Sequence, residues 1–182
     1  MSTITRSAGL GPKAREFSLK GVDGQTYTFA GVRGPKGTLV AFTCNHCPYV
    51  QAVIGRLVEE AKALKAIGIN TIAINSNDTK AYPEDSFDNM KRFAHLHGFT
   101  FPYLYDESQE VARAYDAVCT PDFFGFNAKD ELQYRGRLDA SRKELVPGAR
   151  RDLYEAMKQV AETGRGPAEQ IPSAGCSIKW RE

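Results

Sequence analysis

The chain has 182 residues, of which 42% are hydrophobic, 25% charged and 10% aromatic. That is an ordinary globular mixture at a length near one domain, which excludes disordered, collagen-like and mucin-like chains. Lys+Arg 24 against Asp+Glu 22 leaves a net charge of +2, too balanced to suggest nucleic acid or a membrane surface as partner. No apolar run approaches ~18 residues, so no membrane span is expected.

In chain order, Phe17 and Leu19, then Tyr27 and Phe29, alternate around Asp23-Gly24 and predict a hairpin over about 16–29. The run TLVAFT (38–43) is unbroken and of strand length, as a central strand covered on both faces requires. Val50, Val53, Ile54, Leu57, Ala61 and Leu64 recur at helical steps up to Gly68. INTIAIN (69–75) predicts a second strand. Asp85 or Ser86 caps a helix carrying Phe87, Met90, Phe93, Ala94 and His97, closed by Gly98. FPYLY (101–105) reads as a short strand, after which Asp106 and Gln109 match a capping box for a short helix through Val111, Ala112 and Tyr115. Residues 122–127 and 131–137 flank Ala128-Lys129-Asp130 as a second hairpin. A helix over about 150–163 buries Leu153, Ala156, Met157 and Val160, and the tail from Gly164 reads as an extended strap. Neither repeats nor a linker interrupt this order. Early strand–helix alternation implies parallel pairing by right-handed crossovers, and the late hairpin is antiparallel. The expected architecture is α/β, a mixed sheet with helices on both faces. It forms one domain over 1–182, with 1–15 and 164–182 as extended terminal segments.

Four cysteines, at 44, 47, 119 and 176, are too few for a disulfide scaffold. The first 17 residues carry scattered charges and no apolar centre, so they do not read as a secretory signal. The expected compartment is therefore the cytoplasm, where thiols are kept reduced. A close pair there suits catalysis or metal binding better than structure. Cys44-Asn45-His46-Cys47 falls between the first central strand and its helix. A helix N-terminus offers free N–H groups and a positive dipole end, and both favour a thiolate. Two intervening residues put the α-carbons about 5–6 Å apart, within disulfide reach. On this reading Cys44 faces solvent and attacks a target sulfur. Cys47, one turn deeper, then attacks Cys44 and releases the product. His46 either stabilises the Cys44 thiolate and makes the pair more oxidising, or is a solvated residue filling a variable position, and Pro48 suits a first helical turn. The pair also suits two buried small residues, or half of a metal site.

Thr120-Pro121 precedes the late strand. A cis bond there would turn the chain and expose backbone beside the cysteines as a groove for a substrate strand, whereas a trans proline would simply start a strand. Cys119 is a candidate third thiol or a small buried hydrophobe, and Cys176 resolves Cys44 if the strap crosses the site. Asp106, Glu107 and Asp139 read as cap and surface groups, Arg135 and Arg137 as hairpin surface charges.

Strand, Cys-x-x-Cys, helix, two βα steps, Thr-Pro, hairpin and helix together resemble the thioredoxin superfamily. Phe17-Ser18-Leu19 with Asp23-Gly24 resembles its redoxin branch, which includes the alkyl hydroperoxide reductase/thiol-specific antioxidant proteins. Cys44-Asn45-His46-Cys47-Pro48-Tyr49, Ile74-Asn75-Ser76-Asn77-Asp78, Ala117-Val118-Cys119-Thr120-Pro121-Asp122-Phe123, Tyr134-Arg135-Gly136-Arg137 and Gly175-Cys176-Ser177-Ile178-Lys179-Trp180 resemble a peroxiredoxin-like group within it. The resemblance implies a thioredoxin-like fold, a cis Thr120–Pro121 bond and Cys44/Cys47 thiol–disulfide chemistry without an organic cofactor or metal. It further implies a protein or small-molecule disulfide, or a peroxide, as substrate and a cellular thiol as reductant. The sequence departs from thioredoxin at Thr43, where an aromatic stands, at Asn45-His46 in place of Gly-Pro, and at Thr38 near the place of a buried Asp. It departs from true peroxiredoxins because Thr43 has neither the Thr-x-x-Cys spacing to Cys44 nor to Cys47; Arg137 is the candidate cation for a peroxide. Two other expectations stand beside the oxidoreductase: a peroxiredoxin-like thiol peroxidase, and a non-catalytic metal-binding protein using Cys44, Cys47 and Cys119.

Overall fold

The computed structural model describes residues 2–4 and 11–182. Its elements are β1 (Ser2–Ile4), β2 (Ser18–Gly21), β3 (Thr26–Thr28), α1 (Phe29–Val32), β4 (Gly37–Phe42), α2 (Pro48–Ala66), β5 (Ile69–Asn75), α3 (Phe87–Leu96), β6 (Tyr103–Tyr105), α4 (Glu110–Ala114), β7 (Cys119–Thr120), β8 (Asp122–Asn127), β9 (Leu132–Tyr134), α5 (Asp152–Thr163) and β10 (Ala174–Ser177). The two apolar runs become the neighbouring central strands β4 and β5, paired in parallel from Gly37 opposite Ile69 to Phe42 opposite Ile74. β8 lies antiparallel on the other side of β4, and the main sheet runs β3-β2-β6-β5-β4-β8-β9.

Period-2 alternation explains the two cores. Leu39 and Ala41 of β4 face Val53, Leu57, Met90, Leu153 and Met157, which come from α2, α3 and α5. Val40 and Phe42 face the opposite layer, where Phe17, Phe29, Tyr115, Phe124 and Phe126 pack edge to face or tilted. Each such buried side chain is worth about 1.5–3 kcal/mol against exposure.

Of the two cap candidates, Ser86 caps α3, its hydroxyl accepting from Asn89 N at 3.2 Å. Other local expectations change. The Asp106–Gln109 box does not form, because α4 begins one turn later, at Glu110, and Gln109 takes a left-handed conformation. The Asp106 carboxylate still accepts from Ala112 N at 2.9 Å, but it is buried, as is Asp139, which pairs with Arg56 at 2.7 Å. The strap also does more than run extended. Its residues 174–177 form β10, which lies between β1 and β7 in a second, three-stranded sheet. β7 has two residues and pairs only with this remote segment, so no local periodicity announces it.

Candidate active site

The Cys44–Cys47 loop bridges β4 and α2, and Pro48 determines where the helix starts. Proline is pre-shaped for the first helical position and has no N–H to lose. Cys47 is therefore the N-cap residue, and Cys44 stands three residues outside the helix. This reverses the expected order of the two thiols: the helix terminus acts on Cys47, not on Cys44.

Asp85 holds the loop. Its buried carboxylate accepts from Asn45 N at 2.8 Å, His46 N at 3.3 Å and Asn77 Nδ2 at 2.9 Å. His46 Nδ1 lies 2.6 Å from it, and the His46 ring stacks on Tyr82. Asn45 is fixed further by Tyr103 OH, which donates to its side-chain oxygen at 2.8 Å. The sequence marks Asp85 only as a helix cap; its neighbours Asn75 and Asn77, both buried, are the signal of a polar cluster.

Both sulfurs are closed from solvent: Cys44 and Cys47 are each 0% exposed, against the expectation of an exposed Cys44. All four cysteines are free thiols. Cys44 Sγ lies 3.5 Å from Thr120 Oγ1, and Cys47 Sγ donates to Thr120 O at 3.3 Å. Cys44 and Cys47 also hydrogen-bond to each other, and that shared proton is the main reason their acidities split. The Cys44 thiol is pushed well up, by its bond to Cys47, by burial and by the Asp85 charge. The Cys47 thiol is drawn down to about 5 by the bond from Cys44, against burial, with help from Cys176, Thr120 and Val50 N–H. The split directs the first proton loss of the reduced pair to Cys47, whose bond to Thr120 O belongs to its thiol form.

The Thr120–Pro121 bond is cis. The edge expected to receive a substrate strand is already taken, because β10 pairs Cys176 with Thr120 and Ser177 with Cys119. Gly175 permits that approach: a Cβ there would lie 2.0 Å from Thr120 O. What stays open is a groove beside Pro121, lined by Tyr49, Phe123, Leu138, Arg142 and Ala174 among others. Thr43 is buried, and its hydroxyl reaches neither sulfur. Cys119 is buried, with Sγ at 3.5 Å from Pro121 O, and burial pushes its thiol far up. Arg135 is not a surface charge but 5% exposed, paired with Asp122 at 3.2 Å. Arg137 is partly exposed and pairs with Asp152 at 2.8 Å.

Among the described residues one cluster of three metal-type donors occurs, Cys44, His46 and Asp85, with ligand atoms within 4.8 Å of one another. Cys47 and Cys119 do not join it, so the expected Cys44–Cys47–Cys119 set is not assembled. The His46–Asp85 contact is closed at 2.6 Å, whereas arms of about 2.0 Å at tetrahedral angles hold donors about 3.3 Å apart. An ion would have to part that pair.

A thioredoxin-like sheet with a dithiol at the start of a helix and a cis-proline opposite defines a redoxin. Residues 10–136 match the AhpC/TSA family, and the chain belongs to it. A solved structure of an uncharacterized conserved protein from Geobacillus kaustophilus is 44% identical and superposes with a TM-score of 0.94 over 100% of this chain and 97% of that one. The thiol-disulfide oxidoreductase ResA of Geobacillus thermodenitrificans is 25% identical over 122 residues, 67% of this chain and 66% of that protein, about two-thirds of its length. A thioredoxin-family thiol:disulfide interchange protein from Chlorobium tepidum TLS, 20% identical, shares the fold with a TM-score of 0.65 over 85% of this chain and 99% of its own. No described helix is long and apolar enough to cross a membrane.

Proposed function

We propose that this chain is a thiol–disulfide oxidoreductase that cycles Cys44 and Cys47 between dithiol and disulfide. The carrying observation is the Cys44/Cys47 pair at the start of α2, with both sulfurs against Thr120 of the cis Thr120–Pro121 bond. A thiolate, a good leaving thiol and a resolving thiol are what disulfide exchange needs, and the pair supplies all three. The likeness to ResA supports the same reading. Substrates are disulfides of proteins or small molecules, and the reductant is a cellular thiol. Thr120 positions both sulfurs, Pro121 borders the groove, and His46 with Asp85 sets the charge beside Cys44.

The same thiolate gives a peroxiredoxin-like, antioxidant role as the second reading, and Cys47-Pro48 at a helix start favours it. Peroxide cleavage, however, needs donors aimed at the developing oxygen charge. Arg135 is committed to Asp122 and Arg137 to Asp152, so disulfide exchange takes precedence. Steady-state assays with one thiol reductant test the order. Reduction of a small disulfide-bonded protein is expected to exceed reduction of hydrogen peroxide, and both Cys44→Ser and Cys47→Ser are expected to abolish it. Faster peroxide turnover, with sulfenic acid trapped on Cys47, would reverse the order.

A further inference from the structure

Exchange needs an outside sulfur to reach an inside one, and neither Cys44 nor Cys47 has any exposed surface. Cys176 is the cysteine that is only partly buried. β10 fixes it opposite Thr120, the residue whose hydroxyl and carbonyl touch Cys44 and Cys47. Its side chain packs against the core cluster that holds Cys44 and Cys47, and its sulfur is near enough to Cys47 for each thiol to shift the other's acidity. Cys47 thus has Cys44 and Cys176 both as neighbours. Ala174, two residues earlier on the strand, shares a face with Cys176, and Ala174, Tyr49 and Pro121 all line the open groove. The groove thus reaches Ala174, on the strand and face that carry Cys176, and Cys176 stands opposite Thr120, which touches the buried pair.

We propose that Cys176 is the third redox thiol of this protein: it forms a disulfide with Cys47 and passes it to thiol partners that dock in the groove. This rests on the Cys44/Cys47 pair being the redox dithiol. Starting from the Cys44–Cys47 disulfide, Cys176 releases its proton and its sulfur attacks Cys47 Sγ. The Cys44–Cys47 bond breaks, and Cys44 leaves with the bonding pair and takes up a proton. One disulfide has replaced another, and no oxidant or reductant is consumed. A partner thiolate then attacks Cys176 Sγ, and Cys47 leaves as thiolate. The partner's second thiol attacks its own sulfur in the mixed disulfide and frees Cys176. The partner dithiol has lost two electrons and the protein has gained them; the reverse order reduces a partner disulfide. The acidities direct the outside attack. Cys47 is the low-pKa leaving group, while burial and the Cys47 neighbour push the Cys176 thiol up to about 11, and the lower-pKa sulfur leaves faster.

The full chain is poised in glutathione buffers, quenched with acid and peptide-mapped for disulfides, and its turnover is measured with a small disulfide-bonded protein. Cys44→Ser is expected to collect a Cys47–Cys176 disulfide under oxidation. Cys176→Ser and Cys176→Ala are expected still to form the Cys44–Cys47 disulfide, with turnover at least tenfold lower. That retained disulfide shows that the variants are folded at the site. Wild-type turnover in both Cys176 variants, or no Cys47–Cys176 disulfide in Cys44→Ser, overturns the relay and leaves the dithiol reading standing. Absence of a Cys44–Cys47 disulfide in the wild-type chain at every poise overturns the dithiol reading itself.

Discussion

Asp85 sets its carboxylate beside a thiol pair that carries one negative charge, and His46 Nδ1 stands against that carboxylate. Removing the carboxylate relieves repulsion and favours the reduced, anionic pair; removing the imidazole leaves Asp85 unbalanced and disfavours it. Asp85→Asn is therefore expected to raise the reduction potential and His46→Ala to lower it, with ~30 mV corresponding to ~1.4 kcal/mol. Glutathione titration of the two variants checks this, and shifts of the same sign would refute it. Asp85→Asn also loses loop hydrogen bonds, at a cost of about 1–3 kcal/mol for the buried groups left unpaired. The split acidities make a second prediction, on pH. With Cys47 drawn down to about 5, the reduced pair holds two protons below that pH and one above it. The potential should fall by about 59 mV per pH unit below pH 5 and about 30 mV per unit from there to neutrality, for a two-electron couple. Linkage has the same sign. The lowered Cys47 pKa stabilises the reduced fold fully above the unfolded thiol value of about 8.5, and this is lost as pH falls through 5. A slope of about 59 mV per unit up to pH 8 would show that no thiolate is present. Sequence makes the cysteines and His46 legible because spacing alone marks them. Asp85 is hidden because its partners are loop N–H groups 39 and 40 positions away.

At the scale of the elements, the legible parts are those with their own periodicity: β4, β5, α2 and both hairpins. β7 and β10 have none. They exist because Gly175 lets the tail lie against Thr120, and because Ser173 Oγ donates to Pro121 O at 2.7 Å. The strand thereby fills the edge that sequence assigns to a substrate and delivers Cys176 to Cys47. Gly175→Ala puts a methyl where Thr120 O stands, and the strap must shift to accept it. Such overpacking costs about 1–3 kcal/mol. At about 2–4 °C per kcal/mol for a chain of this size, Tm should fall by roughly 2–12 °C. Cys176 and Cys47 should alkylate faster in the reduced variant, because the cover over both sulfurs has loosened. Unchanged alkylation rates would mean that the strap does not guard the site.

The fold as a whole ties its second hairpin to the site through one buried ion pair. Arg135 from just after β9 reaches Asp122 at the head of β8, donates to Asp116 O at 2.8 Å, and lies over the Phe124 ring at 4.5 Å. Asp122 also accepts from Val118 N at 3.1 Å, so the pair brackets the Cys119-Thr120-Pro121 segment from both sides. Sequence places Arg135 on the surface because a hairpin arginine ordinarily is exposed. Its side chain is instead taken up by Asp122, Asp116 O and the Phe124 ring, while the tail's Gln170 accepts from Arg135 N at 2.8 Å. Burial raises the Asp122 carboxyl and the Arg135 charge holds it back, so the Asp122 carboxylate depends on Arg135 to stay ionised. Breaking one side of such a pair strands a charge and costs about 3–5 kcal/mol, whereas replacing both sides with apolar groups is often neutral. Arg135→Met alone should thus be strongly destabilised in denaturant unfolding, with Asp122→Leu alone comparably so. The double variant should recover most of the loss. If instead the two losses add, the pair is not coupled, and the Thr120–Pro121 segment is held by its β10 and Ser173 contacts alone.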